Sequence, residues 1–284
     1  MIINDEVAIA NQRLWEDEVR KGCGYTIPWL DLDVSILHQY ATGELEFLPE
    51  PLTCIYPASV LADVEGKDVL CLASGGGQQS AVFGLLGARV TVVDLAEGQL
   101  EGDRKAAAHY GYEVTAIHAD MRDLSCLPGE AFDLVYGTAL CYIPDVHQVY
   151  AGIARVLRTG GLFRVNTGQP AVHFVAWDGE GYRITKPYAE RVNRRTDGAI
   201  EFRHTMDDLF SGLIDLGFSI QRVCEAPYYR LLDPSAPPGS WTHEQAYVAG
   251  EFAIVAGKIG ARKKGEISRP SLSPAAEDTS DVVT

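Results

Sequence analysis

The chain has 284 residues, and 46% of them are hydrophobic, which suffices for one large domain with extensions. Its formal net charge of −15 repels nucleic acid and anionic membranes, so we expect neither as a partner. No apolar run reaches the length of a membrane span and no signal peptide is evident, so we expect a cytoplasmic protein. The six cysteines form no C-x-x-C pair, and we predict no metal site.

Residues 1–58 precede the most strongly patterned part of the chain. Asn4 or Asp5 is a candidate N-cap for a helix that runs to about Lys21, and a second helix is predicted over 31–40. Prolines interrupt the remainder. Three aromatic residues of this extension are candidates either for a substrate site or for anchoring the extension to the core: Trp15, Tyr25 and Trp29.

The strongest motif spans Asp68–Ser80. Val69–Ala73 is an apolar run of the length of a buried strand, Gly75, Gly76 and Gly77 follow, and an apolar helix is predicted over 81–86. Strand, glycine turn and helix form the nucleotide-binding start of an open α/β sheet. Glycine serves there because the turn visits positive φ and a ligand must approach bare backbone. The helix start offers free N–H groups to the same ligand.

A second predicted strand, 89–93, ends at Asp94, 17 residues after Gly77. An acid at the tip of the second strand can accept hydrogen bonds from both hydroxyls of a ribose. The ligand is therefore predicted to be a nucleoside, with a dinucleotide and S-adenosylmethionine as the two alternatives.

Strands and helices continue to alternate downstream. The predicted elements are a helix over 96–111, a third strand over 112–117, a fourth strand over 132–136, a helix over 145–157 and a fifth strand over 162–166. Ligands of open α/β sheets bind at the carboxyl ends of strands. Gly137 and Tyr142, after the fourth strand, are therefore candidate site residues.

The rest of the chain closes the fold. Residues 169–204 are polar and aromatic with weak periodicity, which predicts a partly β insertion over the sheet. Thr205–Asp208 resembles a capping box that opens a helix through Leu216. A pair of closing strands is predicted over 218–224 and 251–257. The segment 259–284 is rich in Ser, Pro and acids, which predicts a disordered tail.

Four stretches, in order, resemble the motifs of class I S-adenosylmethionine-dependent methyltransferases, in particular their type 11 branch. Asp68–Ser80 with Asp94 resembles motif I, His118–Leu124 the third-strand motif, Phe132–Thr138 the fourth strand, and Arg155–Phe163 the helix-turn-strand that follows. The resemblance covers residues 66–168 strongly and 169–258 loosely. The common acid on the first strand is Cys71 here, and the first glycine of the usual motif is Ala73.

This resemblance implies a Rossmann-like, doubly wound, seven-stranded sheet whose last strand is antiparallel. It implies a methyltransferase domain over 59–258, a helical lid over 1–58 and an acceptor-side insertion over 169–204. The cofactor would be S-adenosyl-L-methionine, with Asp94 on the ribose, Asp120 on the adenine amino group and the backbone of Met121 on a ring nitrogen. The full predicted cofactor-binding set is Ala73, Ser74, Gly75, Gly77, Gln78, Asp94, Leu95, Asp120, Met121 and Gly137.

Methyl transfer to carbon or oxygen also requires removal of a proton from the acceptor. We predict His173 as the general base and Tyr142 as an orienting group. His147 and His204 are weaker candidates. The predicted acceptor is a small molecule, with the methylated atom and the oligomeric state left open. The alternative functions are an NAD(P)-dependent oxidoreductase, which would use the same glycine turn, and a non-catalytic S-adenosylmethionine-binding protein.

Overall fold

The computed structural model describes residues 3–45, 49–170, 172, 175–225, 233–248 and 250–260. Its main sheet contains β1 (Asp68–Leu72), β2 (Arg89–Asp94), β3 (Val114–His118), β4 (Phe132–Gly137), β5 (Leu157–Gly168), β10 (Phe218–Glu225) and β11 (Glu251–Lys258). Two hairpins pair β6 (Val175–Trp177) with β7 (Tyr182–Ile184) and β8 (Val192–Arg194) with β9 (Ile200–Phe202).

The helices are α1 (Glu6–Lys21), α2 (Val34–Thr42), α3 (Gln79–Leu85), α4 (Glu97–Tyr110), α5 (Val146–Val156), α6 (Gly212–Asp215) and α7 (Trp241–Tyr247). A turn of π-helix, Asp207–Ser211, leads into α6. None of the helices in the described part of the chain combines the length and apolar character needed to cross a membrane.

The strand order of the main sheet is β10-β11-β5-β4-β1-β2-β3. The strands β1 to β5 run parallel, whereas β11 is antiparallel to both of its neighbours, β5 and β10. The predicted seven-stranded Rossmann-like sheet with an antiparallel last strand is therefore confirmed. Because parallel strands of this kind end at one edge, the loops after β1 to β5 meet there.

Helices cover both faces of the sheet. On one face, α5 buries the stripe that its periodicity predicts, namely Val146, Val149, Tyr150, Ile153 and Val156. On the other face, Val82 and Phe83 of α3 and Leu37 of α2 pack on the sheet. Strands buried on both sides consist of continuous apolar runs, which is why β1 and β4 were recognisable without alternation.

The ends of the predicted elements differ from the observed ones by small amounts, except at the start of β5. One helix, α7, was not predicted. The strand β5 begins at Leu157 rather than Leu162, and its pairing with β4 shifts from Leu157 directly to Leu162, which leaves a bulge between them. Helix α7 was not predicted at all, although Ser240 caps it by accepting a hydrogen bond from His243 N at 3.3 Å.

Other local predictions agree with the structure. The insertion after β5 is partly β, since it contains both hairpins. Thr205 and Asp208 exchange hydrogen bonds as a capping box does, at 2.9 Å and 3.1 Å. Of the predicted tail, only Ile259 and Gly260 are described, and residues 261–284 lie outside the described residues.

The N-terminal extension is attached to the domain through α1. Asp5 caps this helix by accepting a hydrogen bond from Ala8 N at 2.8 Å. Asn11, which is buried, donates from Nδ2 to Ile200 O and accepts at Oδ1 from Ile200 N, both at 3.0 Å. One amide side chain therefore satisfies both backbone groups of a residue in β9, and α1 is held against the insertion.

We predict that Asn11→Leu destabilises the protein by about 2–3 kcal/mol, because two buried backbone groups of Ile200 lose their partners while side-chain volume is kept. Urea denaturation would measure this loss. Arg13→Leu, on the same helix and exposed, should change the unfolding free energy by less than about 0.5 kcal/mol. Equal stability of the two variants would show that the Asn11 contact is replaced at no cost.

Candidate functional site

A cavity of about 790 Å³ lies at the carboxyl ends of the parallel strands. The loops after β1, β2 and β3 line one half of it, and the loops after β4 and β5 line the other. Residues of α1 and of the following loop complete the wall: Val7, Ala8, Asn11, Trp15 and Tyr25. The cavity therefore occupies the position where open α/β sheets bind ligands.

The glycine turn after β1 is packed tightly against other backbone. A Cβ on Gly75 would lie 2.8 Å from Tyr25 O, and one on Gly76 would lie 2.7 Å from Thr26 O. Both glycines also have positive φ. The turn was expected to be bare so that a ligand could approach, but on this side the N-terminal extension approaches it.

Gln78 fixes this arrangement. Its amide Nε2 donates to Gly24 O at 2.7 Å and to Ile27 O at 2.9 Å. The residue was predicted to bind the cofactor, and it does line the cavity, but its side-chain donor is used to hold the extension.

Gly77 lies behind the cavity wall rather than in it. Its N–H donates to Asp103 Oδ1 at 2.9 Å, and Ser80 Oγ donates to the same oxygen at 2.5 Å. Burial raises the pKa of Asp103 to about 6, although these two donors oppose the shift. Gly77 therefore holds α4 against the turn, where a Cβ would come within 2.4 Å of Gly102 O.

Two alanines in left-handed backbone flank the cavity. Ala73 at the end of β1 has φ 49° and Ala139 after β4 has φ 63°. Non-glycine residues adopt this region at a cost, and such positions are concentrated at functional sites. Ala73 thus adopts a positive φ, which glycine adopts more readily, at the position where the motif that this stretch resembles has its first glycine.

Asp94 carries the most perturbed carboxylate of the cavity wall. It is 8% exposed, and its carboxylate accepts a hydrogen bond from Ala96 N at 2.9 Å. Burial raises its pKa to about 7, and no basic side chain among the described residues forms an ion pair with it. A ligand that donates two hydroxyl hydrogen bonds, as a ribose does, would satisfy this carboxylate.

Asp120 is buried and belongs to an ion-pair network that was not predicted. Arg122 Nη2 lies 2.6 Å from Asp120 Oδ2, and Arg122 Nη1 lies 2.8 Å from Asp5 Oδ2. Burial would lower the pKa of Arg122, but the two carboxylates hold it above its usual range. The network joins the loop after β3 to the N-cap of α1.

Asp120 also caps its own turn, since Oδ1 accepts from Arg122 N at 2.9 Å. Asp120 therefore has a structural role in addition to its place in the cavity wall. In the sequence, the one feature that indicated this ion-pair network was Arg122, two residues after the candidate acid Asp120.

Eight of the ten predicted cofactor residues line the cavity: Ala73, Ser74, Gly75, Gln78, Asp94, Leu95, Asp120 and Met121. Gly77 and Gly137 do not line it. At the β1 to β3 end of the cavity wall, three buried atoms have no hydrogen-bond partner among the described residues: Ser74 Oγ, Gln79 Oε1 and Gln99 Oε1. Such unsatisfied polar atoms fit a polar ligand such as the adenosine and amino-acid parts of S-adenosylmethionine.

The half of the cavity beyond β4 is lined by aromatic and polar residues that are not in the predicted cofactor set. Tyr142 lines it and packs edge-on against Trp15, with ring centroids 5.9 Å apart. Burial raises the pKa of Tyr142, so the phenol stays protonated. Polar residues that sequence reasoning missed also lie here: Asn166, Arg195, Glu201, Glu244 and Glu251. Asn166 could have been found, because it ends the predicted fifth strand.

The predicted general base, His173, lies outside the described residues. His147 and His204 do not line the cavity. His147 Nε2 lies 3.5 Å from Asp208 Oδ1, and His204 is buried with Nε2 bonded to Leu140 O at 2.9 Å. Within the described residues, no cluster of His, Cys, Asp and Glu has the arrangement of a metal site.

Tyr25 and Trp29 have different surroundings. Tyr25 lines the cavity and remains largely exposed. Trp29 packs with the core cluster on the α2 and α3 side of the sheet, and its backbone N–H donates to Gly77 O at 3.3 Å. The aromatics were candidates either for a substrate site or for anchoring the extension, and Trp29 therefore has the anchoring role.

We predict that Asp94→Asn stabilises the ligand-free protein above pH 7. The native carboxyl keeps its proton up to about pH 7, whereas the unfolded one loses it near pH 4. Wild-type stability should therefore fall between these values, by on the order of 2–4 kcal/mol. The Asp94→Asn variant should show no such loss of stability, because its amide does not titrate. Denaturation at pH 4 and pH 8 measures the difference in unfolding free energy between the variant and the wild type. This difference should be present only at pH 8.

Asp63→Asn is the matched control, since the carboxylate of Asp63 is 89% exposed. Its effect on stability should be small at both pH values. An Asp94→Asn variant that is no more stable than the wild type at pH 8 would contradict the raised pKa of Asp94.

Comparison with known proteins agrees with this geometry. Residues 70–165 match the family model described as a methyltransferase domain. A protein of Bacillus subtilis, named as an uncharacterized methyltransferase, is 30% identical over 225 residues, which cover 74% of this chain and 87% of that one.

Ubiquinone biosynthesis O-methyltransferases from Maricaulis maris and Pseudomonas syringae are more distant. They are 27% and 29% identical, over 51% and 52% of this chain and 59% and 66% of their own lengths. The chain therefore spans less than two thirds of these relatives.

Solved structures share the fold. A methyltransferase from Mesorhizobium loti has a TM-score of 0.59 at 24% identity, covering 78% of this chain and 99% of its own. One from Listeria monocytogenes has a TM-score of 0.56 at 19% identity, covering 77% of this chain and 97% of its own.

The family match removes the oxidoreductase alternative, and the cofactor is S-adenosyl-L-methionine. The chain belongs to the class I S-adenosylmethionine-dependent methyltransferases.

Proposed function

We propose that the protein transfers a methyl group from S-adenosylmethionine to a small-molecule acceptor. The supporting observation is the continuous cavity of about 790 Å³, which extends from Asp94 and Asp120 to the ends of β4 and β5. Pockets that enclose small ligands have volumes of roughly 300–1,000 Å³. A cavity of this size, walled partly by α1, favours a compact acceptor over a macromolecule.

The cofactor supplies an electrophilic methyl group on a sulfonium. Asp94 would accept hydrogen bonds from the ribose, Asp120 and Met121 would hold the adenine, and Ser74 and Gly75 would hold the remainder. These residues orient the cofactor, and orientation is the main requirement of a displacement reaction.

The wall formed by α1 and Tyr25 would exclude water from the reacting groups, as the lid interpretation of residues 1–58 requires. Tyr142 is protonated and can donate a hydrogen bond to the acceptor, which supports its proposed orienting role. His173 is retained as the proposed base. Glu244 is a second candidate, because it lines the cavity and burial raises the pKa of its carboxyl.

A hydroxyl is the acceptor group that the relatives favour, since several of them are named O-methyltransferases. Methylation of a hydroxyl requires its proton to be removed, and the polar residues at the ends of β4 and β5 suit that requirement.

The proposal can be tested by incubating the protein with S-adenosylmethionine and size-fractionated cell extract, and measuring S-adenosylhomocysteine. We expect product above background only with the low-mass fraction. Asp94→Ala should weaken S-adenosylhomocysteine binding at least tenfold in calorimetry, because hydrogen bonds to a charged group contribute roughly 1.5–3 kcal/mol each.

Asp63→Ala should bind like the wild type. Turnover with the protein or RNA fraction alone would overturn the small-molecule acceptor. Failure of the wild type to bind S-adenosylhomocysteine would overturn the whole proposal.

A second test separates Tyr25 from Trp29. Tyr25→Ala should lower turnover while leaving the melting temperature nearly unchanged, because the side chain is largely exposed and lines the cavity. Trp29→Ala should instead cost about 2 kcal/mol or more of stability, since it removes a partly buried aromatic from the core. The two variants should be compared by thermal unfolding and by S-adenosylhomocysteine production. A loss of stability in Tyr25→Ala, or none in Trp29→Ala, would reverse these assignments.

A further inference from the structure

The guanidinium of Arg164, on β5, is completely buried without a carboxylate partner. It is 0% exposed, and no described residue forms an ion pair with it. Its Nε donates to Tyr56 O at 2.8 Å, and its Nη1 donates to Asn166 Oδ1 at 2.8 Å. A buried cation of this kind is costly unless its surroundings compensate it.

Two aromatic rings supply part of that compensation. The guanidinium carbon lies 4.9 Å from the ring centroid of Tyr56 and 4.3 Å from that of Tyr136. Cation–π contacts of this geometry hold an arginine plane in place. The guanidinium is therefore a fixed donor, not a mobile side chain.

This donor determines how Asn166 is oriented. An arginine can only donate hydrogen bonds, so the amide atom that faces it must be Oδ1. The Nδ2 group is then turned away from Arg164, and no described residue accepts a hydrogen bond from it. Because Asn166 lines the cavity, its wall offers an amide N–H donor at the end of β5.

The position of Asn166 places it at the acceptor half. Asp94 ends β2 and Asp120 follows β3, both on one side of β1, whereas Asn166 lies on β5, beyond β4 on the other side. A cofactor held at the first two residues leaves the β4 and β5 end for the acceptor.

We propose that Asn166, held in place by Arg164, donates a hydrogen bond to the oxygen of a phenol or enol acceptor and favours its ionised form. This inference rests on the proposed function and specifies the substrate class of that site. Asn166 touches the acceptor, whereas Arg164 is a positioning residue that acts through it.

In the proposed reaction, the acceptor loses a proton and gains the methyl group. The acceptor hydroxyl ionises, and its proton passes to the general base of the proposed function, a role for which Glu244 lines the cavity. The oxyanion attacks the methyl carbon, an O–C bond forms, the C–S bond breaks, and its electron pair stays on sulfur. A donor aimed at the oxyanion stabilises the attacking species in a site from which water is largely excluded.

Other charged groups face the same space. The carboxylates of Glu244, Glu251 and Glu201 line the cavity, and Arg195 Nη1 pairs with Glu201 Oε1 at 2.9 Å. Glu251 pairs with Gly168, two residues beyond Asn166 on the same face of the sheet. These carboxylates oppose ionisation of the acceptor, so the effect of Asn166 must be measured as a difference between variants.

The remaining titratable neighbours stay neutral. Burial raises the pKa of Tyr136 to about 12, and it raises the pKa of Tyr56 further. Desolvation also raises the pKa of Tyr25, Cys54 and Cys141. None of these groups contributes a charge near neutral pH.

The test uses 4-nitrophenol as a probe of the acceptor site. Its ionised form is yellow, so absorbance titration of the probe bound to protein loaded with S-adenosylhomocysteine reports the pKa of the bound phenol. We expect this pKa to be about one unit higher in Asn166→Leu than in the wild type, because the donor to the oxyanion is lost. Asn166→Asp should raise it further, since a carboxylate replaces the donor.

Thr91→Val, a polar-to-apolar change in the sheet away from the cavity, should leave the bound pKa unchanged. Arg164→Gln should raise it by less than Asn166→Leu does, if that variant folds; the Asn166 variants carry the test in either case. S-adenosylhomocysteine affinity, measured by calorimetry, should be the same in all of them.

The inference is overturned if the bound pKa is the same in the wild type and Asn166→Leu. It is also overturned if the loaded protein does not bind 4-nitrophenol. Absence of S-adenosylhomocysteine binding would instead overturn the proposed function, and this inference with it, so the two failures are distinguishable.

Discussion

The close approach of two backbone segments at the glycine turn is the constraint on which the rest of the site depends. Tyr25 and Thr26 lie so near Gly75 and Gly76 that a methyl group on either glycine would overlap a carbonyl oxygen. The two amide hydrogen bonds of Gln78 hold the same loop. The N-terminal extension is therefore packed onto the turn, and it also contributes α1 and Tyr25 to the wall of the cavity.

The cavity is divided by chemistry as well as by position. The half proposed for the cofactor has buried acids, Asp94 without an ion-pair partner among the described residues and Asp120 paired with Arg122. The half proposed for the acceptor has Asn166, bonded to a buried guanidinium, and several carboxylates. This division follows from the strand order, since β2 and β3 lie on one side of β1 and β4 and β5 on the other.

Much of the fold and the cofactor end was predictable from the sequence, because these features depend on local patterns. The run Val69–Ala73, the glycines after it and Asp94 are recognisable without long-range information. Contacts between distant segments could not be predicted: Asn11 with Ile200 and Asp5 with Arg122 join residues 189 and 117 positions apart. The orientation of Asn166 likewise depends on Arg164 and two tyrosines, which only the folded sheet brings together.

The contact between Asn11 and β9 also determines how much of a strand edge is exposed. A strand at the edge of a small sheet presents unpaired N–H and C=O groups that can pair with another chain. Asn11 occupies both groups of Ile200, so helix α1 does for this hairpin what a neighbouring strand would otherwise do. Loss of α1, by proteolysis or truncation, would expose the edge of β9 together with the cavity that α1 helps to enclose, and the shortened protein should be prone to aggregation.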